Sequence, residues 1–384
     1  MPARDKLHGV EHKYLDAANK PIEQVAGSIV GLVATADDAD TTTFPLNENT
    51  LVTGEADIAK AGTSGTLRQA LLDIFDQQPA LVVVTRVNES ADVAMQTSSL
   101  IGTINNERNS FIGMQCMLSA ESDTGFKPRL IIAPEFSQIE AVGVALEALA
   151  KKLHAIAIID GKADGLSAAV QDKSRYDEVI FVDPGIRATG EDGNETTRAA
   201  SAAVAGHIVR NDVERGYHTS PSNQRMQNIL GPSKNIDYIS GSKTCMANVL
   251  SANDICAVVR KAGGVYFWGN RLANGTLIPH QRIRYIVGDS ILAAHEEYVD
   301  RNLTSDYVSF IRGRVNALIR RLTLQGIISG GECWIDPALN KASFVDNTAY
   351  WDYKLGFYNV AETIVFRQAV TDEYNNTIVD RIAA

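Results

Sequence analysis

The residues from which this sequence could build a reactive site are its histidines, its cysteines and two aspartates that close apolar runs. Cys116, Cys245, Cys256 and Cys333 lack the CxxC spacing of a zinc or redox site, which predicts reduced, buried thiols. His8, His12, His154, His207, His218, His280 and His295 are read as surface or satisfied core residues, and no metal site is expected. Asp160 ends AIAIID and Asp183 ends EVIFVD, positions where catalytic carboxylates occur but where helix caps and turns also need an acceptor. The stretch Val265 to Arg271, VYFWGNR, sets three aromatics beside a glycine, an amide and a guanidinium. Such a mixture either lines a pocket or locks a core.

The elements that would position these groups are legible between residues 66 and 184. TLRQALLDIFDQ is amphipathic, Pro79 ends it, and LVVVTRV follows as a continuous apolar strand. The alternation continues through a helix near residues 91–104, PRLIIAPEF, the helix EAVGVALEALAKKL, AIAIID, a helix at 163–172 and EVIFVDPG. With SIVGLVATA before them, solid β-branched strands between helices predict a largely parallel sheet covered on both faces, an α/β fold. GIRATGEDGNE reads as an exposed loop and TTRAASAAVAGHIVRND as a small-residue helix that can pack closely. CMANVLSANDICAVVRKAGGVYFWGNR reads as one helix, or two broken near Asn253, then a glycine turn and a strand.

A nucleotide-binding enzyme on this sheet is the natural rival. The loops after four strands begin NESAD, SQIEA, GKADG and PGIRA, so none carries GxGxxG. Gly241-Ser-Lys-Thr244 lacks the glycine spacing of a P-loop, and no GxSxG elbow occurs. No catalytic residue and no cofactor is expected. A capsid-like or adhesive structural protein is the second rival.

The chain has 384 residues and a net charge of −10, which argues against direct nucleic-acid binding. No apolar run approaches the ~20 residues of a membrane span, and MPARDKLHGV lacks a signal peptide's apolar stretch, so folding in a cytoplasm and no membrane insertion are expected.

Several stretches in order carry a resemblance. ANDICAVVRKAGGVYFWGNRL, HGVEHKYLD, SIVGLVATADDAD, TFPLNENTLVTG, KPRLIIAPEFS, KKLHAIAIID, VIFVDPG, SPSN and the closing YWDYKLGFYNVAETIVFRQAVTDEYNNTIV together resemble contractile tail sheath proteins of myophages and R-type pyocins. Where that family carries a proline-rich turn before its last strand, this chain has YNVAET.

The resemblance implies a multi-domain fold. An N-terminal arm spans residues 1–20, an outer α/β domain 21–245 whose start can pack with the inner domain, an inner α+β, tube-facing domain 246–360, and a C-terminal arm 361–384. It also implies a homo-oligomer of stacked helical rings, with an inner tube protein, a baseplate and a tail terminator as partners. The place implied is a virion tail or a phage-derived bacteriocin particle, assembled in a host bacterial cytoplasm.

The arms are expected to exchange strands between subunits through His8, Val10, His12, Tyr14, Ile364, Val365, Phe366, Arg367 and Val370. AETIVFRQAV reads as a strand and Asp372 suits a first helical turn. In DYVSFIRGRVNALIRRLTLQG, Ile311, Val315, Leu318, Ile319 and Leu322 form a buried helical stripe. Arg312, Arg314, Arg320 and Arg321 are then expected to meet acidic patches on the tube. Phe267, Trp268, Gly269, Asn270 and Arg271 are expected to be structural, with Trp268 packing the inner domain.

Overall fold

The structure is a computed structural model, and it describes residues 21–105, 110–261, 263–343 and 347–372. The expected arm residues His8, Val10, His12 and Tyr14 therefore lie outside the described residues, as does all but the start of the expected terminal helix.

Elements follow in chain order. β1 (Ile29–Thr35), β2 (Asn49–Val52), the single turn α1 (Glu55–Ile58), α2 (Leu67–Phe75), β3 (Leu81–Val87) and α3 (Val93–Ile101) come first. Next are the short pair β4 (Ile104–Asn105) and β5 (Ser110–Phe111), then α4 (Ala120–Thr124), β6 (Leu130–Ile132), α5 (Glu140–Lys152), β7 (Ile156–Asp160), α6 (Leu166–Lys173) and β8 (Val179–Val182). β1, β3, β6, β7 and β8 are mutually parallel in the order β3-β1-β6-β7-β8, with β2 antiparallel on the β3 edge. The expected parallel α/β sheet is therefore present.

Its strands read as unbroken apolar runs because both faces are covered. Alternation divides them: Val30, Leu32, Val82, Val84, Ile156, Ile158 and Ile180 pack in one core, while Ile29, Val33, Val83, Ala157, Ile159 and Phe181 pack in the other. The first core is closed by α2 and by α7 (Ser201–Arg215), the second by α3 and α5. The small residues of α7 permit the close approach that their types suggested. A Cβ on Gly206 would stand 2.4 Å from the carbonyl oxygen of Ile74 in α2.

GIRATGEDGNE is not a plain loop. β9 (Ile186–Thr189) and β10 (Glu195–Arg198) pair as a hairpin, extended on the other side by β12 (Ile229–Pro232). Only Gly190 to Asn194 form the turn, because residues of β10 alternate in exposure and Arg187 pairs with Glu195 at 2.8 Å. Nor does a second helix follow Asn253. α8 (Met246–Ala252) ends there, and the apolar run after it is β13 (Ala257–Lys261), which turns through Gly263 into β14 (Gly264–Trp268); β11 (Gln224–Arg225) joins on the far side. β13 begins on the edge of the parallel sheet: Cys256 N–H donates to Phe181 O at 2.8 Å, and Asp183 N–H to Cys256 O at 3.0 Å.

The remaining elements build a smaller unit. α9 (Ile278–His295), α10 (Ser305–Leu324), β15 (Gly330–Trp334), α11 (Pro337–Ser343) and β16 (Asp352–Gly356) follow, with β15 and β16 an antiparallel pair on their own. A third core joins Ile22, Ile283, Val287, Val315, Leu318, Ile319, Leu322, Ile328 and Cys333, with Trp351 and Leu355 against it. The stripe expected on α10 is thus its buried face, residue for residue. The expected division between residues 245 and 246 cuts through packed chain instead: Ala247, Leu250, Val258, Val259 and Phe267 sit in the two cores of the parallel sheet. Apart from Ile22, the buried residues of the third core begin with α9.

Candidate assembly surfaces

VYFWGNR is a lock between layers. Phe267 is fully buried in the first core, with its ring 5.5 Å from His207, while Tyr266 and Trp268 face the second core. Trp268 packs edge-on to Tyr238 at 5.2 Å, donates Nε1–H to Asn248 Oδ1 at 3.2 Å and lies under Lys261 at 3.9 Å. Gly269 has φ +122, and a Cβ there would meet Cys256 at 2.8 Å, so this close turn requires glycine. Asn270 Oδ1 accepts from the Ser220 hydroxyl at 2.7 Å. Trp268 is therefore part of the parallel-sheet unit, not of the inner domain. Trp268→Ala should cost about 3 kcal/mol, read as a lower denaturant midpoint with unchanged slope; a fully stable variant would contradict this packing.

The two strand-end aspartates are structural anchors. Asp160 is buried and accepts from Ala200 N–H and Ser201 N–H, both at 2.8 Å, and from the Ser137 and Ser201 hydroxyls at 2.9 and 2.6 Å. Burial pushes its pKa up while these bonds oppose the rise. It caps α7 from across the sheet, with no lone pair directed at an open site. Asp183 accepts from Ala163 N–H at 2.8 Å, and burial raises it to about 6.

The histidines are dispersed. His207 is buried, bonded to Pro221 O at 2.9 Å and to Arg210 at 3.0 Å, and burial lowers it to about 4. His154 stacks on Tyr285 and contacts Asp289, His280 meets Tyr358 O at 3.0 Å, His295 meets Ile291 O, and His218 lies edge-on to Tyr217. Among the described residues no group of three or more His, Cys, Asp or Glu could hold a metal. All four cysteines are buried and free. Among the described residues, too, no helix is long and apolar enough to cross a membrane.

The surfaces that remain unfinished lie in the last third. The chain leaves β16 and is tied down twice: Tyr358 O accepts from His280, and Arg271 holds Glu362 with contacts of 3.1 and 2.6 Å. YNVAET thus follows a fixed path back to the end of VYFWGNR, and Arg271 of that signature anchors the arm's root. Beyond it, residues 363–370 form no helix or strand. Ile364, Val365, Phe366 and Val370 are 71, 73, 93 and 92% exposed. Apolar side chains in this pattern belong against another surface. Among the described residues the strand read from AETIVFRQAV does not form, and none of them pairs with it.

α10 presents the basic face. Arg312 and Arg320 are exposed, and the described residues offer neither an ion pair. Arg314 and Arg321 are occupied instead. Arg314 stacks on Tyr298 at 4.6 Å and faces Glu297 at 3.9 Å, its side chain 9% exposed, while Arg321 donates to Ile22 O. Sequence reading missed α9, whose polar residues reach the parallel-sheet unit. Arg282 binds Asp212 and Gly27 O, Gln281 and Tyr285 meet Glu178, and Asp289 gathers Lys127, Arg129 and His154. Those partners lie 70 to 255 positions away in sequence, beyond any local pattern.

A parallel-sheet unit joined by one helix to a small α+β unit with an open arm is the fold of contractile sheath proteins. The helical sheath of the anti-feeding prophage in its contracted state superposes with a TM-score of 0.70 at 15% identity, covering 95% of this chain and 99% of that one. The chain belongs to the phage tail sheath family: the family's central-domain model matches residues 112–272 and its C-terminal-domain model residues 281–371. It is 32% identical to the putative prophage major tail sheath protein of Pseudomonas aeruginosa strain UCBPP-PA14, over 97% of this chain and 99% of the relative. It is 31% identical to the tail sheath protein of Escherichia phage P2, over 98 and 99%. The family boundary between residues 272 and 281 coincides with the passage from the two cores of the parallel sheet, which hold Leu272, Ala273 and Ile278, to the third, which holds Ile283.

Proposed function

We propose that this chain is the repeating subunit of a contractile tail sheath, which polymerises helically around an inner tube and shortens to drive that tube through a target cell envelope. The observation that carries this reading is the C-terminal arm: four apolar side chains held in solvent on a segment whose root is pinned. Such an arm is completed by adding to a neighbouring subunit, which keeps the lattice connected while the bodies of the subunits rotate. The N-terminal arm, residues 1–20, has the same role in this reading, and the particle is a virion tail or phage-derived bacteriocin assembled in a bacterial cytoplasm. Baseplate and terminator proteins close the two ends. The work is mechanical, stored in the packing of the lattice, and requires no catalytic group.

In this reading the unit built on α9 and α10 is the inner, tube-facing one. Arg312 and Arg320 supply the charge for acidic patches on the tube, whereas Arg314 and Arg321, included in the sequence-based set, chiefly hold α10 to its own surroundings. Exposed ion pairs contribute about 0–1 kcal/mol each and weaken in salt. Repeated along a tube they sum to a firm grip whose single contacts release readily.

The test is assembly on tubes of the cognate particle. The chain should coat them, and the double variant Arg312→Glu, Arg320→Glu should leave them bare at moderate salt with its thermal unfolding unchanged. Bare tubes with the unmodified chain would overturn the reading; normal coating by the double variant would remove these two arginines from it.

A further inference from the structure

A pocket of about 420 Å³ opens between β11, β12 and the turn that joins β13 to β14. Its apolar lining includes Met226, Leu230 and Val265; Arg225, Arg260 and Lys261 also line it, and no carboxylate does. Lys261 is held by uncharged groups. Its Nζ stands 3.9 Å from the ring centre of Trp268, 4.6 Å from that of Tyr238 and 5.0 Å from that of Tyr266, and it donates to Asn223 Oδ1. Ring faces and an amide orient an ammonium but bring no negative ion to it. Burial lowers the pKa of Lys261, the direction expected of an ammonium without a counter-ion. Arg260, which is exposed, donates to the Leu230 carbonyl at 2.8 Å. Arg225, also exposed, lies over Gly264, where a Cβ would stand 2.9 Å from its Nε. Three cations are thus set around one pocket, and among the described residues none of them has an ion pair.

The opposite charge gathers at the C-terminal ends of β1 and β3. Asp37, Asp38, Asp40 and Glu89 are exposed there. Their loops are tied together: Glu89 N–H donates to Asp37 Oδ1 at 3.4 Å, and the N–H groups of Asp37 and Asp38 donate to Ser64 Oγ at 3.0 and 3.3 Å. Hydrogen bonds from Ser64 and Thr63 hold the Asp38 carboxyl well below the usual range, and the Thr42 N–H lowers Asp40. Among the described residues none of these four carboxylates has an ion pair either.

We propose that the pocket of one copy receives the acidic rim of a second, with Arg225, Arg260 and Lys261 meeting Asp37, Asp38, Asp40 and Glu89. This rests on the sheath reading above and adds to the arms a contact between the bodies of subunits. Charge selects the occupant: each patch lacks a counter-charge among the described residues of its own chain, and each supplies what the other lacks. The two patches differ, so the contact is heterologous. Repeating it gives a ring or an open helix, not a two-fold dimer.

The first test uses polymers of the unmodified chain, assembled from isotope-labelled and unlabelled copies. A carbodiimide, which joins a carboxylate to an amine in contact with it, should link Lys261 of one copy to Asp37, Asp38, Asp40 or Glu89 of another. The second test reverses charge. The variant Arg225→Glu, Arg260→Glu and the variant Asp37→Lys, Glu89→Lys should each need at least about tenfold more protein to polymerise at moderate salt. Mixed in equal amounts, they should polymerise near the unmodified concentration, because each variant then carries the charge that complements the other.

No link from Lys261 to a carboxylate of another copy, or variants that each polymerise normally alone, would overturn the contact and leave the sheath reading intact. A mixture that stays unassembled, although both variants unfold at the unmodified temperature, would overturn it too. Should either variant misfold, the cross-link in the unmodified chain decides. An unmodified chain that forms no polymer would overturn the sheath reading and this contact with it.

Discussion

Deleting residues 363–384 should leave a folded, monomeric subunit that no longer polymerises at any accessible concentration. The cut falls after Glu362, so the bidentate contact with Arg271 survives. The described part of the removed segment is almost wholly solvated, with Phe366 at 93% and Val370 at 92% exposure, and surface losses of this kind change stability by no more than about 0.5 kcal/mol. Association is affected far more. Burying a side chain such as Phe or Val contributes about 1.5–3 kcal/mol, so losing these two alone costs each junction at least about 3 kcal/mol, roughly a hundredfold in affinity. In the proposed lattice every subunit has such a junction, so the loss repeats along it. Sedimentation of the truncated chain checks this together with its unfolding curve; polymer formation at the wild-type concentration would mean the arm is dispensable.

Asp289→Ala should be the most damaging single substitution outside the cores, at about 3–5 kcal/mol. Asp289 sits on α9 at 5% exposure and binds Lys127 at 2.8 Å together with Arg129 and His154. Removing the carboxylate strands the Arg129 guanidinium, whose side chain is 6% exposed, without its counter-charge. Burial alone would raise the pKa of Asp289, but the hydrogen bonds from Lys127, His154 and Arg129 outweigh it and hold the group at about 2. A carboxylate with a folded pKa below its unfolded value stabilises fully above about pH 4, and the contribution disappears as pH falls through about 2. The wild-type chain should therefore lose about 2 kcal/mol more than the variant between pH 4 and pH 2. Parallel acid-unfolding curves for the two proteins would show that the latch carries no stability.

This latch bears on function because, among the described residues, α9 is the only helix that contributes to both the first core, through Ile278, and the third, through Ile283 and Val287. With three sets of polar contacts along one helix, the two units are held in a fixed relation. In the proposed reading the arms are then the parts left to bend during a change of lattice.

The parallel sheet was legible because burial on both faces leaves its strands as solid apolar runs that no helix pattern fits. β13 was not, because AVVRK is short and follows directly on α8; its alternation, Val258 to one core and Ala257 and Val259 to the other, shows only once both faces are covered. The β9–β10 hairpin was hidden by glycine and charge at its turn. On α10 the apolar stripe was readable from spacing alone, whereas the fates of its arginines were not. Arg314 depends on Tyr298 and Arg321 on the carbonyl of Ile22, nearly 300 positions away.

The central claim, that this chain assembles with itself into a sheath, is tested most directly by negative-stain electron microscopy of the purified chain, expressed alone and concentrated. Hollow, ridged tubes of uniform width are the expected result. Monodisperse single subunits that persist after inner-tube and baseplate proteins are added would contradict it.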